Sequence, residues 1–286
     1  MIEGIAAGVP YLAEPPDGDA RRDAPAVVAW HLLDSPRTPP AFAAAVPLTG
    51  LRAWRVYFGL PMTGRRLPDG GFEELRRRIF EDAVLSVYRH VTGGAADEFP
   101  AAWAAVRAEL GIPDGPIGVM GGSMGGMAAQ LALAEGGADV RAAVLINPVV
   151  RLRDTIDALS AMYGTPYAWT APADAVAARA DFIARAGELT GAAVRFVTGE
   201  QDMPDAIVKP VGAAVAELRR VGAVVDWQVV PGMAHALADE PGTEPAPQTP
   251  HAAAVDRLAV DWFSAHLPGA DRTGAGPGAH GGRPSR

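Results

Sequence analysis

One stretch limits the folds open to this chain more than any other: residues 117–126, IGVMGGSMGG. An apolar run with strand character meets Gly121-Gly122-Ser123-Met124-Gly125, and a helical pattern follows over 124–135. Glycines at 121 and 125 leave room for a sharp strand-to-helix turn that presents a serine hydroxyl at the end of a strand. A phosphate-binding loop would need Gly-Lys-Ser/Thr, but the single lysine of the chain is Lys209. A dinucleotide fingerprint has another spacing and does not sit in mid-chain. The pattern is that of a nucleophile elbow, G-x-S-x-G.

Such a serine needs a histidine to take its proton and an acid to orient the histidine. The rest of the chain must therefore supply an acid, a histidine and an oxyanion hole in a fixed order, and along it strands alternate with helices. The alternation is legible. Strands are predicted at 26–31, 52–58, 117–121, 141–146, 194–198 and 224–229, with one or two short ones among residues 1–23. Helices are predicted near 39–45, over 72–90 as one helix or a kinked pair, and at 98–110, 124–135, 153–162, 172–187, 210–221 and 251–266. A Gly93-Gly94 break is expected between the second and third. Apolar strand runs without clean alternation imply a largely parallel sheet covered on both faces. The fold class is α/β, as a single domain over 1–267. Residues 147–192 interrupt the alternation and carry Tyr163, Tyr167 and Trp169, so they are the expected cap. Residues 268–286, rich in Gly, Pro, Arg and Ser, are expected to be a disordered tail.

In the chain order Ser–acid–His, the base lies after the last strand. His235 in Gly232-Met233-Ala234-His235 fits. The acid follows the preceding strand in Gly199-Glu200-Gln201-Asp202-Met203-Pro204-Asp205, where Asp202 is the leading candidate and Glu200 and Asp205 are alternatives. Acyl transfer also needs two donors for the oxyanion. One is the Met124 N–H, directly after the serine. The other comes from the loop His31-Leu32-Leu33-Asp34, with Leu32 first and Leu33 as fallback. His31, Leu33, Met62, Tyr163, Tyr167 and Trp169 are candidates for lining the substrate pocket. Arg151 and Arg153 read as salt-bridge partners of nearby Asp154 or Asp157 rather than as anion binders.

Composition narrows the chemistry. With 286 residues, 49% of them hydrophobic, the chain can bury a sizeable core. It has no cysteine, which removes disulfides and thiolate catalysis. A net charge of -8 without a basic run argues against nucleic acid as a partner. No apolar run approaches the roughly 18 residues of a membrane span, and the N-terminus lacks the pattern of a secretory signal, so no membrane partner and a cytoplasmic location are expected. The helix over 72–90, extra to a minimal fold of this kind, offers a surface for homodimerisation.

Gly121-Gly122-Ser123-Met124-Gly125-Gly126, the acid loop 199–202, the histidine loop 232–235 and Val28-Ala29-Trp30-His31 together resemble the α/β-hydrolase fold over roughly residues 24–267. Esterases, acylglycerol lipases, dienelactone-hydrolase-like enzymes and prolyl-oligopeptidase-like catalytic domains share the resemblance. Leu32 stands where these relatives usually carry glycine. The resemblance implies a serine hydrolase working through an acyl-enzyme, with no metal or organic cofactor. A small ester or thioester is the expected substrate; lactonase, small peptidase or noncatalytic binding protein are the alternatives.

Overall fold

Five of the eight strands are apolar enough to be buried on both faces, and they form the middle of the sheet. A computed structural model describes residues 1–16 and 23–271. Its strands are β1 (Ile2–Ala6), β2 (Val9–Glu14), β3 (Ala26–Trp30), β4 (Trp54–Phe58), β5 (Ile117–Gly122), β6 (Val140–Ile146), β7 (Ala193–Gly199) and β8 (Val225–Val230). They lie in the order β1-β2-β4-β3-β5-β6-β7-β8. β1, β2 and β4 pair antiparallel, and every pairing from β4 to β8 is parallel. This is the α/β architecture expected. The N-terminal hairpin extends one edge, and the elbow strand β5 sits centrally between β3 and β6.

Side-chain alternation along β3 divides the interior into two layers. Val28 and Trp30 face a core built with Phe99 and Trp103 of α3 (Gly94–Leu110), Met127 and Leu131 of α4 (Met124–Glu135), and Val211 and Leu218 of α7 (Lys209–Arg220). Val27 and Ala29 face the other layer, with Phe42 of α1 (Pro39–Ala45) and Val255 and Phe263 of α8 (Pro250–His266). The starts of α1 and α8 follow from sequence. Thr38 and Thr249 accept hydrogen bonds from the N–H groups of Ala41 and Ala252, and Pro39 and Pro250 occupy first-turn positions. α4 is buried on almost all sides, in keeping with its run of Gly, Ala, Met and Leu.

The expected Gly-Gly break is absent. α2 (Gly71–Asp82) leads into π-helical turns over Ala83–Gly93, and these run directly into α3. Gly93 and Gly94 keep helical dihedrals. Their missing side chains serve close packing: a Cβ on Gly93 would lie 3.1 Å from Arg179 and one on Gly94 3.4 Å from Pro61. Phe80, an apolar residue of α2, is largely exposed.

Within 147–192, α5 (Leu152–Met162) and α6 (Ala171–Arg179) are joined by an exposed loop. The helix expected over 172–187 ends early. The chain then turns back, Phe182 N–H donating to Val150 at 2.9 Å, and buries Phe182 and Leu189 in the main core. The tail assignment needs correction at its start. Residues 268–271 pack against the body: Ala270 is fully buried and Asp271 accepts a hydrogen bond from Arg52 N–H. The remainder of the predicted tail, 272–286, lies outside the described residues. Among the described residues no helix is long and apolar enough to cross a membrane.

Candidate active site

The carboxyl ends of β3, β5, β7 and β8 converge on one edge of the sheet, where open α/β sheets place their ligands. Ser123 follows β5 with φ 50° and ψ -116°, a strained conformation for a residue with a side chain. Its N–H is held by Ile146 O at 2.9 Å, and Met127 N–H donates back to its carbonyl at the start of α4. The hydroxyl thus projects from a turn fixed on both sides.

His235 Nε2 lies 2.9 Å from Ser123 Oγ. On its other side, Nδ1 lies 2.9 and 3.0 Å from the two carboxylate oxygens of Asp202. Asp202 is almost wholly buried and also accepts the Met203 N–H at 2.7 Å, so its orientation is locked. Burial by itself would disfavour a charged His235. The hydrogen bond and charge of Asp202, joined by the charge of Asp34, outweigh it and raise the His235 pKa above its ordinary 6.5.

The competing acids have other partners. Glu200 accepts the Gly232 N–H at 2.9 Å and so fastens the histidine loop, while Asp205 pairs with Lys209 in the following helix. Arg151 pairs with Asp154, and Arg153 pairs with Asp174 and stacks over Trp169.

The loop after β3 differs from expectation. Leu32 is fully buried and its N–H donates to Pro36 O at 3.2 Å, so that group is already engaged. Its side chain lies over the elbow, where a Cβ on Gly122 would meet Leu32 Cδ1 at 2.4 Å. The leucine in place of glycine is thus matched by the elbow's own glycine. Leu33 is half-buried, and its N–H has no hydrogen-bond partner among the described residues. The Met124 N–H is a first-turn donor of α4, one of the groups a helix leaves unpaired. Leu33, not Leu32, is therefore the available partner for Met124.

His31 is not a pocket residue. It is fully buried, and burial lowers its pKa to about 4, so the ring is neutral. Nε2 accepts the Leu60 N–H at 3.3 Å, which leaves Nδ1 to donate to Leu32 O at 2.6 Å. With Thr63 Oγ1 also 3.3 Å from Nε2, the ring joins the loop after β3 to the loop after β4. Met62 belongs to that second loop, with a left-handed φ of 59° and partial burial against the core. The three aromatics of residues 147–192 that were expected to line the pocket contact helices instead. Tyr167 donates to Asp82 of α2 at 2.7 Å, and its ring packs edge to face on Trp169 at 4.8 Å. Trp169 donates to Asp157 of α5, and Tyr163, exposed, packs on Phe80.

Asn147 went unmarked in the sequence. It is fully buried directly after β6 with φ 43°. Its Oδ1 accepts the Gly199 N–H at 2.8 Å, and its Nδ2 donates to the carbonyls of Ala234 and His235 at 3.1 and 2.9 Å. One amide therefore fastens the acid loop to the histidine loop. Asn147→Ala would leave the buried Gly199 N–H and two carbonyls without these partners. A loss of about 3 kcal/mol in unfolding free energy is expected, since each orphaned buried group costs about 1–3 kcal/mol. Urea denaturation would measure it; a change below about 1 kcal/mol would contradict the bracing role.

Curated protein sequences gave no match. Among solved structures, TT1662 from Thermus thermophilus superposes with a TM-score of 0.59 at 17% identity, covering 92% of this chain and 96% of that one. A puromycin-hydrolyzing peptidase of Mycobacterium tuberculosis gives 0.63 at 16% identity over 94% of this chain. Acylaminoacyl peptidase of Pyrococcus horikoshii gives 0.60 at 13% identity over 90%. The chain spans 40% of the mycobacterial enzyme and 39% of the Pyrococcus enzyme. At such identities the likeness is one of fold, that of the α/β hydrolases. The model of the prolyl oligopeptidase family matches residues 80–258, which include the elbow, the acid loop and the histidine loop. The chain belongs to the prolyl oligopeptidase family, and is a serine hydrolase of the α/β-hydrolase fold.

Proposed function

We propose that this protein cleaves small carboxylic esters through an acyl-enzyme on Ser123. The observation that carries the reading is the unbroken Asp202–His235–Ser123 hydrogen-bond chain ending on a strained elbow serine. Ser123 Oγ attacks the carbonyl carbon while His235 Nε2 takes its proton. Asp202 holds the imidazole so that Nδ1–H points to the carboxylate and stabilises the imidazolium. The N–H groups of Met124 and Leu33 receive the oxyanion. His235 then protonates the leaving alcohol as the carbon–oxygen bond breaks, and water repeats the sequence on the acyl-enzyme. Of residues 147–192, α5 lies beside the acid loop, Thr155 Oγ1 donating to Ala206 O at 2.9 Å, and is the part that serves as a cap.

The same machinery can open an amide, and the family match favours that second reading. The apolar Leu33 and Met124 beside the serine suit an uncharged acyl group whichever bond is cleaved, so the leaving group decides between the two readings. Rates on an ester, a thioester, a lactone and an anilide sharing one acyl group separate the readings. The ester should exceed the anilide in kcat/KM by more than intrinsic reactivity accounts for; an anilide equal to the ester would establish the peptidase reading.

The pH dependence has a definite sign. His235 must be neutral to accept the serine proton, and its pKa is raised. Activity is therefore lost as pH falls through that raised pKa, and kcat/KM should show an acid limb centred above the ordinary 6.5. A limb centred below that value would contradict the assigned environment of His235.

A further inference from the structure

A carboxylate outside the Ser–His–Asp set stands at the reacting centre. Asp34 Oδ2 lies 3.7 Å from His235 Nε2, the nitrogen that faces Ser123 Oγ. It comes from the loop after β3, next to Leu33. That loop is stitched to the segment following the histidine: Ser35 Oγ donates to Asp239 O at 2.8 Å, Leu237 N–H to Ser35 O at 3.0 Å, and Arg37 N–H to Gly242 O at 2.8 Å. The position of Asp34 is thus built into two loops.

The nearby cation is committed elsewhere. Arg37 forms a two-oxygen ion pair with Glu240 and stacks over Phe72. Among the described residues, His235 is the only basic side chain within ion-pair distance of Asp34. The Asp34 side chain remains 57% exposed, on the open side of the histidine.

For the reaction alone, this carboxylate is unhelpful. It repels a nearby oxyanion, and it competes for the imidazolium proton that must reach the leaving group. A substrate cation would reverse both effects by neutralising it. Because Nε2 delivers its proton to the leaving atom, a carboxylate beside Nε2 lies on the leaving-group side of the scissile bond. We infer that Asp34 is a specificity residue that selects esters whose leaving group carries a cationic nitrogen a few bonds from the scissile oxygen. The inference rests on Ser123 being the nucleophile.

A pair of phosphonothioate inactivators tests this without depending on which acyl group is preferred. In one, the leaving thiol carries a 2-(trimethylammonio)ethyl group; in the other, the isosteric neutral 3,3-dimethylbutyl group. With each rate divided by that reagent's own rate of alkaline hydrolysis, which removes the advantage of the more acidic cationic thiol as a leaving group, the cationic reagent should inactivate the wild-type protein about three- to fivefold faster, the upper part of what one exposed charge pair is worth. Asp34→Asn should bring this normalised ratio to about one, and Asp34→Lys should invert it. Far-UV circular dichroism checks that both variants are folded. A normalised ratio of one on the wild-type protein, or a ratio unchanged in Asp34→Asn, would overturn the specificity role. Inactivation by neither reagent would instead overturn the nucleophile reading, and this inference with it. A second pair, with the cation placed in the group retained on phosphorus, should show no Asp34-dependent preference; if it does, the leaving-side assignment is wrong.

Discussion

Ser123→Ala is expected to lower kcat/KM on the best substrate by about a millionfold, the scale seen when a triad serine is removed. It should also abolish covalent labelling by a fluorophosphonate. The hydroxyl hydrogen-bonds to His235, while the turn is held by backbone contacts to Ile146 and Met127 that alanine preserves. The melting temperature should therefore stay close to that of the wild-type protein. The positive φ of 50° is equally unfavourable for alanine, so no stabilisation is expected from it. Residual catalysis of about a thousandfold over water should persist, because the Met124 and Leu33 donors are untouched. Adding His235→Ala should cost little more, since the two side chains act as a unit. A Ser123→Ala protein that kept a tenth of its activity would place the nucleophile elsewhere.

The parts of this site that sequence reading reached are those with a strong local signature. The elbow has one because a serine at that turn requires small neighbours, and Gly121 and Gly125 supply them. Asp202 and His235 were reachable because each lies in a short loop after a readable strand, in an order that the topology permits. What escaped depends on directions that residue types do not encode. Leu32 and Leu33 are the same residue type, and only the turn that spends the Leu32 N–H on Pro36 separates them. His31 has the chemistry of a site residue, yet its burial and its two loop hydrogen bonds make it a brace. Asn147 and Asp34 act across 52 and 201 residues of chain respectively, on Gly199 and His235, and nothing near either of them marks the partner. The Gly93-Gly94 pair misled for a related reason. Glycine signals a break when its neighbours are solvent, and close packing when its neighbours are Arg179 and Pro61.

The elbow also makes a stability claim that is independent of chemistry. A Cβ on Gly125 would lie 2.2 Å from His31 O and 2.4 Å from Trp30 O. These are backbone atoms at the end of β3, which is paired on both sides, Trp30 with Phe58 and with Gly121. They cannot yield as a flexible side chain would. Gly125→Ala must push α4 away from β3, and this separates the Met124 N–H from the Leu33 N–H as well as loosening the core between them. The expected cost is about 4 kcal/mol or more, at the upper end of single-substitution effects. For a domain of this size that lowers the melting temperature by about 10 °C or prevents folding. Gly187→Ala provides the contrast. Nothing lies within 4 Å of a Cβ there, and its φ is not positive. That substitution should be neutral, or stabilising by up to about 1 kcal/mol, because it restricts the unfolded chain. Calorimetry on the two variants compares a forbidden methyl group with a permitted one. If Gly125→Ala melted together with Gly187→Ala, the close seating of the elbow against β3 would be wrong, and the proposed pair of oxyanion donors would lose the contact that sets their spacing.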